Sequence, residues 1–148
     1  MKKKNIIRFI PAVLIMAVIF LFSAQTGDES SAISDGIISA AAGEENVGSN
    51  ILTFIVRKSA HFIEYAALGA AIYFGVRGVG TDKRQGKRLA LSALFGGLYA
   101  VTDEIHQYFV PGRACMAMDV LIDSFGAAFG AACMFLAFML WEKLRQKR

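Results

Sequence analysis

The sequence predicts an all-α membrane protein, a compact bundle of about four transmembrane helices with both termini in the cytoplasm. Two observations predict this fold class. Of the 148 residues, 55% are hydrophobic and only 19% are charged, whereas soluble domains carry roughly a quarter of their residues as charges. The basic residues also collect between long uncharged stretches. The composition excludes a disordered chain, and two cysteines are too few for a disulfide scaffold.

Four apolar segments are the candidate transmembrane helices, at about residues 6–24, 51–76, 89–109 and 119–142 of a single membrane domain spanning 1–148. A spanning helix needs roughly 20 residues. The second and third segments reach that length only if polar residues at one end lie at membrane depth. The first segment also has features of a signal peptide. We favour a retained helix, because Phe22 fits poorly near a cleavage site after Ala24.

The basic residues predict the orientation. Thirteen of the 16 lysines and arginines lie at or before the start of the first segment, in the loop 77–88 or after the fourth segment. In a four-helix protein these places share one side of the membrane, which the positive-inside rule makes cytoplasmic. Topology therefore explains the basic charge, and nucleic acid is not needed as a partner.

The segment 25–50 then lies outside the cell. Ile33, Ile37, Ile38 and Ala41 recur at helical spacing within it. This pattern predicts a short amphipathic helix on the outer membrane surface.

The outer side also collects the versatile side chains: ten of the 12 acids, both histidines and the three remaining basic residues. Arg57, His61 and Glu64 share one helix face by their spacing. Asp119 and Asp123 continue on their own face into the pair Gly126 and Gly130, a GxxxG pattern that allows close helix packing. Ionisable groups at membrane depth are candidate functional residues.

We assign roles by chemical type. The acid–base candidates for catalysis are His61, Glu64, Asp103, Glu104 and Asp123. The candidates for substrate binding are Arg57, Lys58, Tyr65, His106, Gln107 and Arg113, with the cations suited to phosphate or carboxylate. A divalent cation is a further hypothesis, with Asp119 and Asp123 as oxygen ligands. The alternative for any of these residues is a structural ion pair such as Arg57–Asp123.

Two further residue types are set aside. Ser59 is two residues from His61, which puts the two on different helix faces and disfavours a serine nucleophile. Cys115 and Cys133 are 18 positions apart, about 27 Å along a helix. That distance is too long for a disulfide.

Three sequence blocks carry a family resemblance. The blocks RKSAHFIEYAALG (57–69), DEIHQYFVPGR (103–113) and DVLIDSFGAAFG (119–130), with FSAQTGDESSAIS (22–34), resemble the signature motifs of the VanZ-like membrane proteins. The resemblance implies a multi-pass bacterial membrane protein in the plasma membrane. The founding member is associated with resistance to the glycopeptide teicoplanin, and the resemblance implies no particular reaction.

Three functions are compatible with this pattern. The preferred hypothesis is a membrane-embedded enzyme or binding site open to the outer leaflet, acting on an anionic lipid or a lipid-linked cell-envelope precursor. The second is a non-catalytic protein that binds a glycopeptide or a cell-wall precursor. The third is a transporter or proton relay that uses His61, Glu64 and Asp103, which the uncharged inner helix halves disfavour.

Overall fold

A computed structural model describes residues 6–79 and 84–147, and every regular element in these ranges is helical. The all-α prediction is confirmed. The basic residues Lys2 to Lys4, Lys83 and Arg148 lie outside the described ranges. The five α-helices are α1 (Ile10–Ser23), α2 (Gly27–Ala42), α3 (Asn50–Arg77), α4 (Gln85–Tyr108) and α5 (Ala117–Gln146), with 3-10 turns at Ile7–Phe9 and Glu44–Asn46.

The three long helices extend beyond the apolar segments. They contain 28, 24 and 30 residues, or about 42, 36 and 45 Å at the usual rise per residue. Helix α4 begins four residues before the predicted start, and α5 ends four residues after its predicted end. Backbone hydrogen bonding continues through polar residues, whereas hydropathy marks only the apolar part of a helix.

Helices α3 and α5 approach each other closely through glycine. A Cβ on Gly130 would lie 1.7 Å from the backbone oxygen of Ala66, and a Cβ on Gly69 would lie 1.9 Å from that of Ala127. Gly126 faces Phe62 in the same way. The predicted GxxxG contact is therefore the interface between α3 and α5, and it brings the polar N-terminal parts of both helices together.

In this bundle many polar side chains are buried and many large apolar side chains are exposed, the reverse of a typical soluble protein. Acidic and amide side chains lie inside, among them Asp103, Glu104, Gln107, Asp119 and Asp123. Large apolar side chains lie outside on α1, α3 and α5, with Leu21, Ile63, Phe125 and Leu140 each more than 60% exposed. An apolar exterior on this scale marks a surface that contacts something other than water.

The two ends of the bundle differ in charge. At the basic end, Arg77 pairs with Glu142 across α3 and α5 and stacks on Phe138, while Arg8 lies over Phe74. The groups predicted to form the site, from Arg57 on α3 to Asp123 on α5, lie at the opposite end, which we call the cluster end.

By length and composition one described helix, Ala117–Gln146, is able to cross a membrane. The pair Ile7–Ser23 and Gly27–Ala42 passes the same test jointly, but the two are bent by 105° at their junction. This bend turns α2 away from α1 and toward α3, against which it packs.

Candidate functional site

Three side chains from three helices form a compact group at the cluster end, which we call the buried cluster: His61 of α3, Asp103 of α4 and Asp123 of α5. One nitrogen or oxygen from each residue lies within 4.8 Å of those from the other two. Asp103 and Asp123 are 3% and 0% exposed, and His61 is partly buried. Groups from three different helices therefore meet at these residues.

Asp103 is held in place by two donors. The Ser23 hydroxyl donates to Asp103 Oδ2 at 2.8 Å, and Gln107 Nε2 donates to the same oxygen at 3.1 Å. Gln107 also donates to Ser23 Oγ at 3.2 Å. The other carboxylate oxygen, Oδ1, is buried without a hydrogen-bond partner. Oδ2 is thus held by two hydrogen bonds, while Oδ1 is available to contact a ligand.

Asp123 has no hydrogen bond at either oxygen, although it is fully buried. The His61 imidazole is the nearby basic group, with Nδ1 3.6 Å from Asp123 Oδ2, which is too long for a hydrogen bond. That nitrogen also lacks a partner. Buried polar atoms without partners are rare in folded proteins and call for a specific explanation.

The Arg57–Asp123 ion pair that was named as the structural alternative does not form. Lys58 pairs instead with Asp119, which lies one turn before Asp123 on α5, and its ammonium group also lies 5.4 Å from the centre of the Phe54 ring. Within residues 6–79 and 84–147, Arg57 has no carboxylate partner. The charge of Lys58 is therefore neutralised by Asp119, whereas Arg57 is available to bind an anionic ligand.

Arg113 fastens the α4–α5 loop to the end of α1. Its Nε donates to the Gln25 carbonyl at 3.1 Å, and its terminal NH2 donates to the Phe22 carbonyl at 3.2 Å. Nearby, Gly112 has φ +73° and contacts Gly27 backbone to backbone. Burial, and secondarily the charge of Arg57, lower the pKa of the Arg113 guanidinium, which starts so high that the group stays protonated.

Three other predicted residues lie outside the buried cluster. Glu104 is buried and accepts a 2.9 Å hydrogen bond from the Met116 backbone N–H, at the start of α5. Tyr65 is fully buried, with no partner for its hydroxyl. His106 stacks on Phe20 at 4.5 Å between ring centres and lines neither cleft described below.

Two clefts open at the cluster end, and both are bordered by Arg57, His61 and Arg113. The first, of about 180 Å³, lies between α2 and α3 and has mostly apolar walls, with Glu64 among its polar lining residues. The second, of about 440 Å³, is more polar and is bordered by the Lys58–Asp119 pair. The apolar walls of the first cleft are formed by Phe22, Ile33, Ile37, Val56 and Ala60.

The group of three described residues that could hold a cation includes Asp123 of the predicted pair but not Asp119. Asp123 lies with Asp103 and His61, whereas Asp119 is engaged by Lys58. The i, i+4 spacing of Asp119 and Asp123 suggested a shared role, but ion pairing directs Asp119 to a neighbouring lysine. Both cysteines, Cys115 and Cys133, are free and exposed.

Sequence reasoning missed Ser23 and the carbonyls of Phe22 and Gln25 as parts of this site. They belong to the conspicuous stretch 22–34 that follows the first helix. The same stretch contains a capping box, in which Thr26 and Glu29 exchange hydrogen bonds at the start of α2. The unusual polarity of a stretch that directly follows an apolar helix was the available signal.

The fold and the buried cluster define an all-helical protein that gathers carboxylates and an imidazole at one end of its bundle. The chain belongs to the VanZ/LLP1 family, whose model matches residues 9–140. The match covers all three blocks that suggested the resemblance, which is therefore confirmed. No curated protein and no solved structure matches the chain.

Proposed function

We propose that the protein is a multi-pass membrane protein whose cluster end faces the cell exterior. The pattern of burial supports this, because large apolar side chains cover the outside of the bundle while carboxylates lie within it. Such an exterior suits lipid, and ionisable groups in a membrane face the interior of a bundle. The basic end corresponds to the cytoplasmic side under the positive-inside rule, which puts both termini there.

We further propose that the first cleft binds an anionic lipid or a lipid-linked cell-envelope precursor. The single observation that carries this is the combination of mostly apolar walls with the polar lining residues Arg57, His61 and Glu64. A hydrocarbon chain would lie along Ile33 and Ile37, and an acidic head group would reach Arg57. A guanidinium without a carboxylate partner is well suited to phosphate.

The same cleft has groups suited to acid–base chemistry on a bound head group. His61 and Glu64 border the cleft, and an imidazole is the side chain best placed to transfer protons near neutral pH. Asp123 Oδ2 lies 3.6 Å from His61 Nδ1, so a carboxylate is close to the imidazole. This arrangement supports an enzyme of unassigned reaction, with binding as the step that comes first.

The binding step is tested with purified full-length protein in nanodiscs. The probe is a fluorescent phosphatidylglycerol, displaced either by undecaprenyl phosphate or by zwitterionic phosphatidylcholine. We expect displacement by the phosphomonoester, and at least ten-fold weaker binding after Arg57→Ala. Arg145→Ala, at the basic end, is the matched control and should bind normally.

Equal displacement by phosphatidylcholine, or equal binding by the Arg57 variant, would contradict lipid recognition in this cleft. The fold of each variant is checked first by size-exclusion chromatography, so that loss of binding is not confused with unfolding.

A second candidate function is tolerance to glycopeptides such as teicoplanin, which rests on family membership. Helix α2 supports it, because its exposed Ile33 and Ile37 lie on the proposed outer surface beside the cleft. We expect expression of the protein to raise the inhibitory concentration of teicoplanin in a susceptible host. An equal effect from Arg57→Ala together with His61→Ala would favour non-catalytic binding through α2.

A further inference from the structure

We infer that the buried cluster is a site for a divalent transition-metal ion, held by His61, Asp103 and Asp123. The inference rests on the geometry of the buried cluster, of which His61 also borders the clefts, and it does not depend on which lipid, if any, the first cleft binds. Its ligand set also differs from the Asp119–Asp123 pair that the sequence suggested.

The first argument is the set of unsatisfied atoms. His61 Nδ1, Asp103 Oδ1 and both oxygens of Asp123 are buried without hydrogen-bond partners. They come from three different helices and lie together. A buried carboxylate without a partner carries a large desolvation cost, and Asp123 is fully buried. A shared cation between these residues would satisfy all three at once.

The second argument is distance. Two ligands about 2.1 Å from a metal ion in tetrahedral geometry lie about 3.4 Å from each other. The 3.6 Å between His61 Nδ1 and Asp123 Oδ2 is too long for a hydrogen bond but matches such a pair. The third ligand lies within the 4.8 Å limit of the group, so a small inward movement of Asp103 would close the site.

The third argument is orientation of the ligands by their neighbours. Ser23 and Gln107 both donate to Asp103 Oδ2, which leaves Oδ1 as the available oxygen. Outer hydrogen bonds of this kind fix ligating carboxylates in metal sites. Three protein ligands leave further coordination positions open, and His61 borders both clefts, so a solvent molecule or an anion has access to the ion.

The ligand chemistry selects the class of ion. One imidazole and two carboxylates suit Zn²⁺ or Mn²⁺, whereas Mg²⁺ and Ca²⁺ prefer oxygen ligands alone. The local charge also favours a bound cation. Lys58 is already paired with Asp119, so it does not neutralise Asp103 or Asp123.

The test uses full-length, tag-free protein in detergent, stripped with a chelator. ZnCl2 and MnCl2 are titrated by calorimetry, and bound metal is counted by mass spectrometry after equilibrium dialysis. We expect one ion per chain. Asp123→Asn should weaken binding at least ten-fold, and so should His61→Ala and Asp103→Asn. Asp123→Asn removes no hydrogen bond of the native protein, and the amide oxygen of asparagine at position 103 can still accept from the Ser23 hydroxyl. Both variants should therefore fold.

Two further variants define the site. Glu142→Gln, an equivalent charge removal at the basic end, should leave the stoichiometry and affinity unchanged. Asp119→Asn should also retain one ion per chain, and loss of the ion in this variant alone would assign the site to the Asp119–Asp123 pair and overturn the inference.

Absence of saturable binding of either ion would also overturn the inference, as would equal binding by the three ligand variants. The lipid-binding experiment has a separate readout in stripped protein, so failure of the metal site and failure of the lipid site are distinguishable.

Discussion

At the scale of single residues, Ser23 is the side chain whose importance is least apparent from the sequence. It ends α1, yet its hydroxyl reaches the buried carboxylate of Asp103 on α4. A hydrogen bond to a charged group contributes about 1.5–3 kcal/mol. Ser23 therefore links the first helix to the cluster as well as orienting one of its acids.

We predict that Ser23→Ala lowers the free energy of unfolding by about 1.5–3 kcal/mol, because it removes a donor from a buried charge. Ser34→Ala is the matched control, since Ser34 is equally buried but its hydroxyl donates only to the Ser30 carbonyl of its own helix. Denaturant unfolding in detergent measures both. Equal losses for the two variants would contradict the proposed role of Ser23.

A pH dependence is expected at the start of α2. The Thr26 backbone N–H and hydroxyl both donate to Glu29, and these hydrogen bonds lower the pKa of the Glu29 carboxyl. A carboxyl whose pKa is lower in the folded state stabilises α2 above the unfolded pKa, and this contribution is lost as the pH falls through the folded pKa.

We therefore predict that Glu29→Gln reduces protection of the α2 amides in hydrogen exchange at pH 7. The difference from the unaltered chain should vanish under acidic conditions, where Glu29 is itself protonated. Asp28→Asn, which removes a neighbouring acid outside the capping box, is the control. A difference that persists unchanged at low pH would argue against the capping interaction.

Spacing predicted part of the site at this scale. The i, i+4 and i+7 positions of Arg57, His61 and Glu64 correctly put them on one face, which borders the first cleft. Pairing preferences were not predictable, because Lys58 and Arg57 are equivalent by charge and only their positions around α3 decide which one meets Asp119. Residue roles in binding and catalysis stay predictions.

At the scale of helices, the contact between α3 and α5 determines the geometry of the cluster. Gly69 and Gly130 allow backbones to approach, and the same two helices then bring His61 to Asp123. The GxxxG pattern was readable from the sequence, whereas its partner on α3 was not, because a small residue facing Gly130 can occur on any neighbouring helix.

We predict that Gly130→Ala destabilises the protein by about 3 kcal/mol or more, since overpacking a close contact forces the backbone to shift. Gly36→Ala is the control: a Cβ at this exposed position of α2 would meet nothing within 4 Å. It should be neutral or stabilising by about 0.5–1 kcal/mol. Thermal unfolding followed by circular dichroism measures both. Similar melting temperatures would contradict the close helix contact.

Helix ends were the least predictable elements. Hydropathy placed the start of the third predicted segment at residue 89, but α4 begins at Gln85 and includes the polar Lys87 and Arg88. The amphipathic helix predicted within 25–50 is 16 residues long and begins at a capping box. Hydrogen-bonding and capping residues determine helix ends, and neither is visible as apolar periodicity.

At the scale of the whole molecule, the separation of the two ends is the property on which the proposed function depends. Apolar, buried residues such as Leu68, Ile72, Ala127 and Ala131 fill the region between the buried cluster and the basic end. This closed interior favours a site open on one side over the transporter hypothesis.

We predict that chemical labelling of the two native cysteines will show which end of the bundle faces the cell exterior. Cys115 lies in the loop between α4 and α5 at the cluster end, and Cys133 lies near the middle of α5. A membrane-impermeant maleimide added to whole cells should label the Cys133→Ser variant, which keeps Cys115. The Cys115→Ser variant should react only after solubilisation. Labelling of Cys115 only in lysed cells would reverse the proposed orientation.

The central claim, that the first cleft binds an anionic lipid head group at Arg57, is tested most directly by photocrosslinking in cells. Benzoylphenylalanine at Ile37, on the cleft wall, should capture a phosphate-containing lipid by mass spectrometry, and Arg57→Ala should abolish that adduct. The same probe at Leu94, on the exposed face of α4, should sample bulk lipid in both backgrounds. Identical lipid profiles at the two positions, unchanged by Arg57→Ala, would contradict the claim.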